Sequence, residues 1–214
     1  MTSGVTVVDY GMGNLFSVER ALEHCGAEVY MARTPKAVAQ AERLLLPGVG
    51  AFADGMRELA RLGLVEPIHE FAASGKPFLG ICLGMQMLLD ESNEFGTTTG
   101  LGLIPGRVIP VPAVAADGHP QKIPHIGWNA LVFPHGRENW NGTLLQDVEP
   151  GEAVYFVHSF MASPTNPGHR IADCLYGRMP VSAAIGRENV QGCQFHPEKS
   201  GEVGLRVLKS FLEA

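Results

Sequence analysis

The sequence predicts an α/β fold, an open, mostly parallel sheet flanked by helices, with antiparallel strands added in the C-terminal half. Three observations carry this. From the N-terminus to about Leu89, short β-branched or leucine-rich runs alternate with helical stretches, the pattern of a parallel sheet covered by helices. Beyond Glu94 the texture turns Gly/Thr-rich and then into a succession of short extended runs. The length of 214 residues, 45% of them hydrophobic, provides for one sizeable core, so residues 1–214 are expected to form one domain.

Val5 to Val8 reads as the first strand. It leaves through Gly11-Met12-Gly13 into a helix from about Leu15 to Cys25, with Asn14 as N-cap and Gly26 as the stop. Glu28 to Met31 is the second strand. Thr34-Pro35 places a capping hydroxyl before a proline suited to the first helical position, so a short helix is expected through Ala41. Leu44 to Leu46 is the third strand, and after Pro47-Gly48-Val49-Gly50 a helix covers roughly Phe52 to Leu62. Pro77 to Ile81 forms a strand that ends at a cysteine, and Leu83 to Leu89 returns as helix. Extended runs follow at Arg107 to Val111, Trp128 to Phe133, Val154 to Phe160, Ile171 to Tyr176, Val181 to Gly186 and Gly192 to Phe195. A closing amphipathic helix runs from Gly201 to Leu212, and no internal repeat or low-complexity segment is found.

The formal net charge of -6, with Lys and Arg scattered, offers no footprint for a nucleic-acid backbone. No apolar run approaches the roughly 20 residues that span a bilayer, and the first ten residues lack the regions of a signal peptide, so a cytoplasmic protein is expected. Cys25, Cys82, Cys174 and Cys193 lie singly along the chain, which predicts reduced thiols and no metal site.

Gly80-Ile81-Cys82-Leu83-Gly84 has the G-x-nucleophile-x-G spacing of a sharp strand-to-helix turn that exposes one side chain at its tip. The free N–H groups of the following helix favour a thiolate there. A lone cysteine is commonly a small buried hydrophobe, so the assignment needs a base elsewhere. Gln194-Phe195-His196-Pro197-Glu198 supplies one. Proline holds its predecessor extended, so residues 196 and 198 project to the same side, and Glu198 can orient His196 toward a thiol. Nucleophile, base and orienting acid together make the logic of covalent acyl transfer.

This combination resembles the class I glutamine amidotransferases, which share a flavodoxin-like fold and pair a G-x-C-x-G elbow with a late H-P-E. The resemblance covers essentially the whole chain, including Leu46 to Phe52, Gly80 to Gln86, Val157 to Phe160 and Gln194 to Ser200. It implies that Cys82, His196 and Glu198 hydrolyse L-glutamine through a γ-glutamyl thioester, releasing glutamate and ammonia. Oxyanion donors are then expected from the backbone of Leu83 and of the Gly48-Val49-Gly50 loop. Gln86, one helical turn after Cys82, and His158, Ser159 and Phe160 match residues that bind the substrate.

Asp9 to Leu15, Pro124 to Asn129 and Glu198 to Gly201 resemble more narrowly the HisH-type glutaminase subunits of imidazole glycerol phosphate synthase. That implies a heterodimer with a HisF-type (β/α)₈ cyclase, which uses the ammonia to form imidazole glycerol phosphate and AICAR in histidine biosynthesis. Asn14, Trp128 and Lys199 are the candidate contacts with that partner, although Trp128 also suits a core aromatic and Lys199 a solvated charge. The Gly11-Met12-Gly13 segment is no dinucleotide fingerprint, because its third glycine would fall at Phe16, so no cofactor is expected. The alternative within the family is a HisH-like paralogue feeding ammonia to another synthase, such as one forming an amidine on a surface sugar.

Overall fold

The computed structural model describes residues 4–214. Its elements in chain order are β1 (Gly4–Val8), α1 (Leu15–His24), β2 (Glu28–Ala32), α2 (Pro35–Ala39), β3 (Leu44–Leu46), α3 (Phe52–Arg61) and α4 (Val65–Ala73). There follow β4 (Phe78–Ile81), α5 (Leu83–Met87), β5 (Glu91–Ser92), β6 (Thr98–Thr99), β7 (Gly106–Pro110), β8 (His125–Val132), β9 (Ala153–His158) and β10 (Phe160–Pro164). The chain closes with β11 (Arg170–Tyr176), β12 (Met179–Arg187), β13 (Val190–Cys193) and α6 (Gly201–Glu213).

A nine-stranded sheet runs in the order β2-β1-β3-β4-β13-β12-β11-β8-β9. The five strands from β2 to β13 are parallel, and the four that extend the sheet are antiparallel. Both faces of the parallel part are buried, which is why its strands read as continuous apolar runs. Side-chain alternation divides them between two cores. Val5, Val7, Leu45, Leu79 and Ile81 join Val18 and Leu22 of α1 and Val207, Leu208 and Phe211 of α6. Val8, Leu44, Leu46 and Phe78 join Val38, Leu59, Ile68 and Met87 from α2 to α5. A smaller sheet, β10-β7-β5-β6, adds Val108 and Ala162 to the second core.

The predicted caps hold where the chemistry demanded them. Asn14 accepts from the Ser17 amide and Thr34 from the Ala37 amide, and Gly26 turns the chain at φ 87°. Three differences from the sequence reading stand out. Helix α4 was not anticipated, because Pro67 interrupts its first turn and Leu64 gives no side-chain cap, although Ile68, Phe71 and Ala72 lie buried at helical spacing. The run from Val154 to Phe160 is two strands, since the chain leaves the large sheet at Ser159 and enters the small one. The strand expected at Gly192 to Phe195 ends at Cys193, so Gln194 and His196 stand beyond the sheet edge. Among the described residues no helix is long and apolar enough to cross a membrane, and all four cysteines are free.

Candidate active site

Three neighbouring parallel strands deliver the site. β3 opens into the Pro47 to Gly50 loop, β4 ends at Cys82, and β13 runs on into Gln194 and His196. Their carboxyl ends share one edge of the sheet, where ligands of open α/β folds bind.

Cys82 sits at φ 53° and ψ -110°, a conformation that non-glycine residues seldom adopt and that marks a strained functional turn. Its N–H donates to Cys193 O at 2.8 Å, prolonging the β4/β13 ladder, and its carbonyl accepts from the Gln86 amide at 3.1 Å, starting α5. The bracketing glycines answer to packing. A methyl group on Gly84 would overlap the Leu46 carbonyl oxygen, and one on Gly80 would lie 2.8 Å from the backbone of Met85. Only glycine lets α5 fold back this closely over β3 and β4.

His196 is 3% exposed, and its Nδ1 lies 2.8 Å from Glu198 Oε1. Burial opposes its protonation, but the hydrogen bonds and negative charge of Cys82 and Glu198 outweigh it and raise the pKa to about 9. Its Nε2 is buried without a partner at full hydrogen-bonding geometry and stays open on the side of Cys82. The backbone around it is pinned. The His196 amide donates to Tyr155 O at 3.0 Å, while Ser200 Oγ donates to His196 O at 2.7 Å and accepts from the Tyr155 amide at 3.0 Å.

A cleft of about 420 Å³ opens over Cys82 and His196, and Val49, Gly50, Leu83, Gln86, His158, Ser159 and Phe160 line it. Gly48 stands behind this wall and reaches the site through its carbonyl oxygen, which accepts the Leu83 N–H at 3.3 Å. One expected oxyanion donor is therefore occupied. Because a peptide's C=O and N–H point in opposite directions, the same arrangement turns the Val49 N–H away from Leu83. Gln86 spends both amide hydrogens inside the protein, on Phe160 O at 3.0 Å and on Gln194 Oε1 at 2.9 Å, leaving its carbonyl oxygen for a ligand. Phe160 O also receives His158 Nδ1 at 2.8 Å.

The sequence reading passed over two polar residues here. Among the described residues Glu94 is the only carboxylate lining the cleft, with Oε2 accepting the Phe52 N–H at 2.7 Å. Gln194 is fully buried, with Nε2 3.6 Å from Cys82 Sγ. Its parity with His196 and Glu198 was the available signal, whereas nothing local marks Glu94. Of the expected partner contacts, Trp128 is 58% exposed rather than in the core, and it meets the ring of Tyr155 edge-on across β8 and β9. Lys199 is exposed and Asn14 half-buried.

The model of the class I glutamine amidotransferase family matches residues 6–214. The chain belongs to that family and is an enzyme of the glutamine amidotransferase class. It is 56% identical over 211 residues to imidazole glycerol phosphate synthase subunit HisH 1 of Legionella pneumophila (strain Lens), covering 99% of both chains. It is also 48% identical over 207 residues to the HisH subunit of Geobacillus sp. (strain WCH70), covering 97% of this chain and 95% of that one. Within the class it is thus a HisH-type chain. The solved structure of PurLQS from Thermotoga maritima superposes with a TM-score of 0.73 over 100% of this chain and 99% of that one, and at 23% identity it speaks for the fold alone.

Proposed function

We propose that the chain hydrolyses L-glutamine with the Cys82-His196-Glu198 triad and passes the ammonia to a HisF-type cyclase subunit that makes imidazole glycerol phosphate and AICAR in histidine biosynthesis. One observation carries the chemistry. A single imidazole has one nitrogen held by a buried carboxylate and the other open beside the sulfur of a strained strand-to-helix turn. The Cys82 thiolate attacks the side-chain amide carbon, and its electron pair forms the C–S bond while the C=O pair moves to oxygen. As the oxyanion collapses, the C–N bond breaks and His196 gives the departing nitrogen its proton, leaving a γ-glutamyl thioester. Water then adds with His196 as base, the C–S bond breaks and glutamate leaves.

The cleft suits glutamine at both ends. Gln86 Oε1 is an acceptor suited to an N–H of the ligand, and Glu94 suits its α-ammonium. The oxyanion is where the resting geometry falls short, because Gly48 O occupies Leu83 N–H. Rotating the Gly48–Val49 peptide would free the Leu83 donor and swing the Val49 donor in beside it. Loss of one such donor costs on the order of 10²–10³-fold in rate, so the unrotated loop predicts low activity for the isolated chain. Docking of the barrel partner over Asn14, Trp128 and Lys199 supplies the binding energy for the rotation. Lys199 is suited to report that docking because it directly follows Glu198 in the turn bonded to Tyr155, the neighbour of Trp128.

The test is ammonia release by wild type and Cys82→Ser, each alone and with a HisF subunit plus its nucleotide substrate. Wild type should rise on addition of partner and ligand, and Cys82→Ser should stay at background throughout. Activity retained by Cys82→Ser would overturn the nucleophile, and a wild type indifferent to HisF would overturn the pathway.

A further inference from the structure

Two sets of buried hydrogen bonds meet at the Phe160 carbonyl, one from β8 and one that leads on to Cys82, and their directions can be assigned link by link. Phe160 O only accepts, so His158 Nδ1, 2.8 Å away, carries a hydrogen. Burial lowers the pKa of both His158 and His125 to about 4, so near neutral pH each ring holds one hydrogen. His158 Nε2 is then an acceptor, and the hydrogen shared with His125 Nδ1 at 3.0 Å belongs to His125. The same Phe160 oxygen receives Gln86 Nε2, which turns the NH₂ of Gln86 toward Gln194 and makes Gln194 Oε1 the acceptor. Gln194 is left with one way to face the sulfur, through Nε2–H at 3.6 Å. His125 is itself held in place, stacked between Phe156 at 4.9 Å and Tyr176 at 4.1 Å.

We propose that Gln194 is a catalytic residue that donates an N–H to the sulfur of Cys82, with Gln86, itself oriented by the Phe160 carbonyl, as the positioning residue that holds its amide in the donating sense. An amide is ambivalent, and its other orientation would put an oxygen lone pair against a thiolate. The bonds of Gln86 exclude that orientation. The donor favours the thiolate before attack and again when the thioester C–S bond breaks and the electron pair returns to sulfur. Its function is separate from that of the Leu83 and Val49 amides, which serve the oxygen.

The inference rests on Cys82 as nucleophile, and alkylation by iodoacetamide tests it without glutamine turnover. Peptide-resolved mass spectrometry follows Cys82, with half-buried Cys25 as internal control, across pH in wild type and Gln194→Met, a neutral variant of similar length. The titratable groups that act electrostatically on the sulfur, His196, Tyr10 and Cys193, are unchanged in this variant. The midpoint for Cys82 should rise by about one pH unit, a tenfold effect of the size of one charge-assisted hydrogen bond, while Cys25 should not move. Gln86→Met removes the donor that holds Gln194 Oε1, and it should shift the midpoint the same way by less. A Gln194→Met midpoint within a few tenths of a unit of wild type would overturn the role of Gln194, and an unmoved Gln86→Met would overturn the positioning role of Gln86. Should Gln194→Met not fold, Gln194→Asn withdraws the donor and is read by the same criterion. A wild-type Cys82 no more reactive than Cys25 would overturn the nucleophile itself.

Discussion

Cys82, His196 and Glu198 each depend on a neighbour that changes what they can do. Glu198 is the clearest case, because its charge and hydrogen bond help raise His196 to about 9 against the burial that would lower it. Glu198→Gln preserves the shape but removes the charge and allows the wrong tautomer. We expect kcat to fall roughly 10²–10⁴-fold. The limb of the pH–rate profile due to His196 should move to lower pH. Steady-state ammonia release from pH 6 to 10 measures both. A side chain's chemical type does not by itself define its role in the cleft. Gln86 lines the cleft, but both its donors face inward, so the side it turns to the cleft is an acceptor.

At the scale of elements, the turn between β4 and α5 is built from backbone contact. The helix lies so close to β3 that a Gly84 methyl group would overlap the Leu46 carbonyl oxygen. Gly84→Ala should therefore lower stability by about 1–3 kcal/mol, as overpacking does, and also displace the Cys82 sulfur. Chemical denaturation and the Cys82 alkylation rate read the two effects separately, and wild-type values for both would refute this account of the glycine bracket. The β9–β10 break at Ser159 is equally consequential. It carries the chain from one sheet to the other and leaves His158 and Phe160 flanking the cleft.

For the molecule as a whole, pH acts on stability from two sides. His125 and His158 have folded pKa values lowered to about 4, so between about 6.5 and 4 the unfolded chain binds protons that the folded chain refuses. Their contribution is present above about 6.5 and is lost as pH falls, at about 1.4 kcal/mol per pH unit for each proton. His196, raised to about 9, contributes in full below about 6.5 and loses that contribution as pH rises to about 9. Urea unfolding across pH should give a maximum near 6.5, and His125→Phe should make the acid limb shallower. On the surface, exposed Trp128 and Lys199 predict a partner-facing edge. Trp128→Ala should weaken HisF binding by about 2 kcal/mol, roughly thirtyfold in Kd, and Lys199→Ala should lower HisF binding or HisF-stimulated activity. Calorimetric titration and glutaminase assays check both.

The sequence by itself determined the parallel αβ framework, the glycine-bracketed cysteine and the histidine–glutamate pair. Those features rest on local rules: side-chain alternation, caps, and a proline that fixes its predecessor. The tertiary structure alone decided which polar groups meet. Cys82 and Gln194 are brought together because β4 and β13 are neighbours across more than a hundred residues of chain. The Gly48 carbonyl on Leu83, the Glu94 carboxylate in the cleft and the His125–His158 pair are likewise contacts between distant segments. No local propensity encodes a hydrogen bond whose partners meet only when the sheet closes its order, and the polar wiring of this site is made almost entirely of such bonds.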